Sequence, residues 1–276
     1  MPPGPLYIVA TPIGNLEDIT LRALRVLKEV SLIAAEDTRH TQKLLTHFGI
    51  HKPLTSYHDH NKEDKAELII ARLKEGEGVA LVTDAGTPGI SDPGYYLVNR
   101  AIEEGVAVVP IPGPTAAMAA VSVSGLPTDS FVFEGFLPSR RSQRTGKLEA
   151  LKDEPRTIIL YEAPHRILAC LRDILEAFGD RRAVLARELT KIHEEVLRGK
   201  ISDIINTVEP RDIKGEVTLI IEGMRERPPE AFVLSIPDHV EKLVREEGIS
   251  KKEAIAKVAK LRGVPKKQVY KETLNE

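Results

Sequence analysis

The chain is poor in the residues that usually announce a chemistry. Its 276 residues include one cysteine, Cys170, no tryptophan and only 4 % aromatics. A single thiol excludes an intrachain disulfide and any cysteine-rich metal site, and it agrees with a reducing compartment. No apolar run is long enough to span a bilayer, and the opening Met-Pro-Pro-Gly-Pro lacks the basic and apolar segments of a secretory signal. The expected location is therefore the cytoplasm. No Gly-x-Gly-x-x-Gly follows a strand, because Gly76 and Gly78 precede one. Gly146-Lys147 lacks the earlier glycine and the Ser/Thr of a phosphate-binding loop. The turn from Gly89 to Gly94 is one residue too long for a nucleophile elbow, which argues against a serine hydrolase. His58 and His60 offer two metal ligands in a polar loop, a pattern more often plain surface, and nothing demands a metal.

What is present suits a folded, soluble chain: 42 % hydrophobic residues for real cores and 29 % charged residues for their surfaces. The net charge of −2 is unevenly spread. Ile249 to Lys271 holds eight Lys/Arg against Glu253 alone, a net of +7, so the remainder carries −9. Such a tail fits a polyanionic partner, with a solvated basic face as the competing reading.

Short β-branched runs alternate with helical spacing through the first half. Strands are expected at Leu6–Ala10, Leu32–Ala35, Val79–Thr83 and Val106–Pro110, with helices after Thr20 and around Thr41–Phe48, Lys62–Lys74 and Tyr95–Glu104. That alternation predicts a parallel sheet covered on both faces. After Ser124 the texture changes. Strands at Phe131–Phe133, Arg156–Tyr161, Ala183–Glu188, Glu194–Arg198 and Glu216–Glu222 are separated by fewer helices, at Arg144–Lys152, His165–Phe178 and Ile201–Thr207, predicting a mixed or antiparallel sheet. Beyond Pro228-Pro229, a linker boundary, three small helices are expected, the middle one opened by a Ser250/Glu253 capping box and stopped by Gly263. The tail resembles a helix-turn-helix module; at roughly 40 residues it is expected to have little core of its own and to dock on the body. The organisation is thus residues 1–124, 125–227 and 228–276.

Chemistry is expected where strands run into small-residue turns. Val79–Thr83 leads into Asp84-Ala-Gly-Thr-Pro-Gly-Ile-Ser-Asp-Pro-Gly94, and open α/β sheets place ligands at such carboxyl ends. An aspartate that merely caps the next helix is the alternative. Two further strand ends, at Pro12 and at Pro112-Gly-Pro-Thr115, repeat the pattern, with Thr115 placed to cap a helix and Ala116 and Ala117 allowing either a ligand's approach or tight packing.

Five motifs, Ile8–Leu16, Ala35–Arg39, Thr83–Gly94, Ile111–Thr115 and Tyr161–Arg166, closely resemble, in order, those of the tetrapyrrole-methylase superfamily. Within it they are most similar to the methyltransferases of small-subunit ribosomal RNA, over about Leu6 to Gly223. The resemblance implies the two-domain class III fold of S-adenosyl-L-methionine-dependent methyltransferases, with a parallel sheet in the N-terminal domain, a mixed sheet in the C-terminal domain and a small helical tail. It implies the cofactor S-adenosyl-L-methionine in the interdomain cleft, a homodimer, and 2′-O methylation of a decoding-centre cytidine in 16S ribosomal RNA. Carried over, Pro12, Asp84, Thr87, Thr115 and Ala116 line the cofactor pocket from the first domain, and Tyr161, Leu189 and Thr218 from the second. Many relatives have Gly-Asp-Pro where this chain has Thr83-Asp84-Ala85, so the aspartate matches while the neighbouring backbone differs.

Methyl transfer to oxygen needs alignment and a proton acceptor. Glu36, Asp37, Glu162 and His165 lie at strand ends, with Glu36 or Glu162 favoured, although structural hydrogen bonding accounts for either. Arg39 and Arg166 are candidates to clamp RNA phosphate, against a reading as helix-end ion pairs. Ser139 to Lys147, with Arg140, Arg141 and Arg144, is expected to be a mobile cationic loop beside the cleft. Lys251, Lys252, Lys266 and Lys267 of the tail are expected to touch phosphate without selecting sequence. A methylase of a tetrapyrrole or other small molecule, and a nucleic-acid-binding module whose α/β body senses a nucleotide, are the competing classes.

Overall fold

The computed structural model describes residues 2–224 and 234–274, and the chain divides into two compact units, Met1–Gly223 and Met224–Glu276. The Pro228-Pro229 linker lies outside the described residues.

The first unit holds two five-stranded sheets. In one, β1 (Leu6–Val9), β2 (Leu32–Ala35), β3 (Leu54–Ser56), β4 (Val79–Val82) and β5 (Val108–Ile111) run parallel in the order β3-β2-β4-β1-β5. Alternate residues of each strand feed opposite faces. Leu6, Leu32, Val79 and Leu81 join one apolar cluster, while Val9, Ile33, Ala80 and Val82 join another across the sheet. Burial on both faces is why these strands read as unbroken apolar runs, and it confirms the doubly covered parallel sheet. The edge strand β3 was not legible: Leu54-Thr-Ser56 is short, half-exposed and follows a proline.

The second sheet has the order β6-β7-β10-β8-β9, built from β6 (Phe131–Phe136), β7 (Thr157–Glu162), β8 (Arg182–Arg187), β9 (Glu195–Lys200) and β10 (Val217–Ile221). Only β6 and β7 pair in parallel, so the sheet is mixed, as expected. A bulge between Phe133 and Gly135 bends β6. Gly135 there has φ +64°, and a Cβ would sit 2.7 Å from Ser91 Oγ, so a side chain at this position would strain the backbone and crowd the turn after β4. The helix Ala116–Ser122 packs Ala117, Ala120 and Val121 onto Ile159, Val184 and Ile220 of the second sheet. Its small residues are therefore chiefly a packing surface that brings the two sheets together.

Several boundaries shift for local reasons. Asp37 accepts the Arg39 N–H at 2.8 Å and starts the helix at Thr38, before the expected Thr41. The expected cationic loop is largely helix, Arg141–Leu151. His165 belongs to a 3-10 turn, Pro164–Arg166, that precedes the helix Ile167–Phe178. Thr20 does cap its helix, accepting the Ala23 N–H at 3.1 Å, whereas Thr115 occupies the cap position without a side-chain cap bond.

The second unit contains the helices Ile236–Glu247, Lys251–Arg262 and Lys266–Leu274, with the Ser250/Glu253 capping box in place. Contrary to expectation it has a core of its own, in which Val240, Leu243, Ile255, Val258 and Val269 are buried together. Among the described residues no helix is long and apolar enough to cross a membrane.

Candidate functional site

The carboxyl ends of the parallel strands are stitched to one another. Thr11, after β1, exchanges backbone hydrogen bonds with Gly86, after β4, at 2.8 and 3.0 Å, and its hydroxyl donates to the Thr83 carbonyl at 3.1 Å. Thr83 donates its own hydroxyl to Glu36, after β2, at 2.7 Å. The Asp37 N–H donates to Asp84 Oδ1 at 3.0 Å, and the Thr87 hydroxyl to the Pro114 carbonyl, after β5, at 3.4 Å. Four loops far apart in sequence thus form one rim.

The second sheet closes it. Tyr161 Oη accepts the Ala117 N–H at 3.2 Å, and its ring meets Phe133 edge-on at 5.1 Å and Phe136 at 5.6 Å. Thr218 stands opposite Tyr161 in the β10/β7 register. Between rim and sheet lies a cavity of about 420 Å³ to which Asp84, Thr87, Thr115, Ala116, Tyr161 and Thr218 all contribute. Glu36 and Glu162 also face it. A second cavity, of about 440 Å³, adjoins the first along Ile13, Thr83, Asp84, Ala85 and Glu216 and is lined by Pro12. Asp84 therefore stands in the wall common to both. Burial raises its carboxyl above the ordinary carboxylate range; the Asp37 N–H opposes that shift and the charge of Glu36 adds to it.

A family model described as Tetrapyrrole (Corrin/Porphyrin) Methylases matches residues 5–205. The chain belongs to that family. This methylase is 52 % identical over 271 residues to "Ribosomal RNA small subunit methyltransferase I" of Halalkalibacterium halodurans, covering 97 % of this chain and 93 % of the relative. It is 48 % identical over 276 residues to the Escherichia coli O157:H7 protein of the same name, covering 99 % and 96 %. In fold the methylase is similar to a cobalt precorrin-4 methyltransferase (TM-score 0.62, 19 % identity, 79 % of this chain and 94 % of that one). It is also similar to a Thermus thermophilus uroporphyrin-III C-methyltransferase complexed with S-adenosyl homocysteine (TM-score 0.57, 19 % identity, 79 % and 97 %).

The 420 Å³ cavity fits S-adenosyl-L-methionine: its volume lies in the range of small-ligand sites, and its wall combines aromatic faces with a few carboxylate, hydroxyl and backbone groups. Of the eight residues expected to hold the cofactor, six line this cavity. Pro12 lines the adjoining one. Leu189 lines neither; its side chain packs against the cluster around Ala117 and Ile159.

Other site residues need correction. Glu162 is structurally engaged: its side chain is 0 % exposed, it accepts the Ala163 N–H at 2.8 Å and it pairs with Arg166 at 3.2 Å. Arg166 is in turn committed to Glu162 and to the Leu137 carbonyl at 2.7 Å. Arg144, expected to face RNA, is only 6 % exposed and donates to Asp173 at 2.7 Å and to the Ser139 carbonyl at 3.0 Å. Arg141 pairs with Asp173 and Glu176, both at 2.9 Å, and Arg39 with Asp37 at 2.7 Å, while both guanidinium groups stay largely exposed. Arg140, Lys251, Lys252, Lys266 and Lys267 are exposed.

Asp92, Ser91, Phe136 and Glu216 are cavity residues that sequence reasoning missed. Asp92 had a signal, as the second aspartate of the same glycine-rich turn. It accepts the Gly89 N–H at 2.8 Å and the Gly94 N–H at 2.7 Å, bracing that turn, and burial raises its carboxyl. Glu216 had none, since only the β10 register brings it to the rim. Among the described residues no group of three His, Cys, Asp or Glu is placed to hold a metal.

Proposed function

We propose that this methylase transfers a methyl group from S-adenosyl-L-methionine to the ribose 2′-oxygen of a decoding-centre cytidine in 16S ribosomal RNA, acting in the cytoplasm as a homodimer on the small ribosomal subunit. The observation that carries the reading is the pair of adjoining cavities sharing Asp84, in a chain about half identical, along nearly its whole length, to proteins named as small-subunit ribosomal RNA methyltransferases. One cavity suits the donor and the other the acceptor, with the shared wall where the two reacting atoms must meet.

When bound, the cofactor supplies an electrophilic methyl on a sulfonium. Tyr161, Phe136 and Ala116 shape an apolar chamber around the transfer, and Thr115 and Thr218 offer hydroxyls to polar groups within it. With the donor held there, Asp84 would take the ribose hydroxyl proton as that oxygen accepts the methyl group and the thioether product leaves. Its burial makes that carboxylate a stronger base than a solvated one. Glu36, held by the Thr83 hydroxyl, acts by keeping negative charge beside Asp84 rather than by taking the proton itself. The tail lysines, with Arg140 and the exposed guanidinium of Arg39, meet phosphate.

Incubating the full chain and labelled S-adenosyl-L-methionine with small subunits, with naked 16S RNA and with a tetrapyrrole tests this. Label mapped to one cytidine ribose supports the reading; label in the tetrapyrrole alone overturns it in favour of a small-molecule methylase. A basic tail with four exposed lysines at its helix starts favours RNA.

A further inference from the structure

The loop between β8 and β9 carries the most exposed large apolar side chain described in the protein, Ile192 at 97 %. A lone exposed isoleucine is ordinary on a surface. This one, however, is held out by a loop that is anything but slack. Glu188 and Thr190 both adopt left-handed backbone, φ +51° and +67°, which is uncommon for non-glycine residues and most so for a β-branched one. The Lys191 N–H donates to the Glu188 carbonyl at 3.0 Å, the Thr190 N–H to the Glu194 carboxylate at 2.6 Å, and Lys191 Nζ to Glu188 at 2.8 Å and Glu216 at 3.2 Å. The loop also rests on Gly14, where any Cβ would lie 2.4 Å from Lys191 Cγ. Lys191 lines the 440 Å³ cavity beside the cofactor cavity. That cavity offers Pro12, Ile13, Leu16 and Leu44 to a base, Asp84 to a ribose hydroxyl, and exposed His40 and Lys43 to phosphate.

A nucleotide can enter such a chamber only by leaving its stack, and apolar side chains that take the vacated place lower the cost of doing so. We propose that Ile192 is that wedge, a positioning residue that keeps the acceptor nucleotide of the RNA unstacked and seated in the 440 Å³ cavity. The proposal rests on the RNA reading above.

The experiment compares the wild-type chain with Ile192→Ser, Ile192→Ala and Ile192→Leu, in single-turnover methylation of unmethylated small subunits. A parallel measurement follows the emission of a fluorescent cytidine analogue placed at the target position of an RNA fragment. The serine and alanine variants are expected to lose roughly ten- to a hundredfold in rate, the factor that corresponds to one unstacking step. They should bind RNA without the rise in emission seen for wild type, while Ile192→Leu recovers both signals. Donor affinity by calorimetry and oligomeric state by sedimentation should stay at wild-type values. An Ile192→Ser protein as active and as bright as wild type overturns the wedge. One that falls to a smaller assembly also overturns it, in favour of a contact between protomers. A wild-type chain that methylates no RNA overturns instead the reading beneath.

Discussion

Arg144 is the residue whose role the structure changed most, and its removal gives a sharp test. Arg144 and Asp173 are 6 % and 4 % exposed and pair at 2.6 and 2.7 Å, and the Arg144 guanidinium also donates to the Pro138 and Ser139 carbonyls. Replacing one member of a buried pair leaves an uncompensated charge, which typically costs about 3–5 kcal/mol. Arg141 still donates to Asp173 at 2.9 Å, so Arg144→Ala belongs at the lower end, about 3 kcal/mol. For a unit of this size that lowers the melting temperature by roughly 6 to 12 °C. Far-UV circular dichroism on heating measures it directly. The pH dependence adds a second check. Burial by itself would raise the Asp173 carboxyl, but the hydrogen bonds from Arg141 and Arg144 outweigh it and the net shift is downward. A depressed carboxylate contributes stability above its unfolded value, near pH 4, and loses it as pH falls through the folded one. The gap between wild type and Arg144→Ala should therefore be widest at neutral pH and narrow in acid. In Arg144→Met/Asp173→Leu, which removes both charges, most of the lost stability should return. An unchanged melting temperature with weakened RNA affinity would refute the structural assignment and restore Arg144 to the RNA surface.

Four further outcomes follow from the site and the tail. In Glu36→Gln, loss of the neighbouring charge should lower the Asp84 carboxyl and move the acid limb of the rate profile to lower pH, while Asp84→Asn should cut kcat by about 10²–10⁴ with donor affinity within a few-fold of wild type; an acid limb that stays put in Glu36→Gln would contradict the coupling. Glu162→Gln should destabilise the fold by about 2–4 kcal/mol through its bonds to Ala163 and Arg166 yet leave kcat of the folded enzyme nearly unchanged, and a large kcat loss at wild-type stability would show a direct part in the chemistry. Replacing Lys251, Lys252, Lys266 and Lys267 with alanine should weaken RNA binding evenly across sequences and flatten the dependence of log affinity on log salt by about 0.7 per lost phosphate contact on single-stranded RNA; a salt slope equal to wild type would remove the tail from the interface.

Much of the fold was readable from patterning. Both faces of the first sheet are covered, so its central strands had to be continuous apolar runs, and Val79–Val82 announced itself as one. The Gly/Pro turn after it carried two residues that line the 420 Å³ cavity, Asp84 and Thr87, because a turn that comes close to a cavity at a strand's carboxyl end draws on those residue types in consecutive order. Capping chemistry is equally local, which is why Thr20 and Ser250 performed as their spacing required.

What the order of residues could not disclose is anything decided by distant partners. The short edge strand Leu54–Ser56 exists because β2 offers it a free side. Arg144 and Glu162 have the composition of surface and catalytic groups, but helix Ile167–Phe178 supplies Asp173 to one and the 3-10 turn before it supplies Arg166 to the other, turning both inward. Burial raises the Asp84 carboxyl, and so does the charge of Glu36, forty-eight positions away along the chain and adjacent only across the sheet. Residue type and spacing set which strands form and where the chain turns, since those depend on neighbours in sequence; protonation, pairing and the joining of two cavities depend on neighbours in space, and only the folded arrangement of both sheets establishes them.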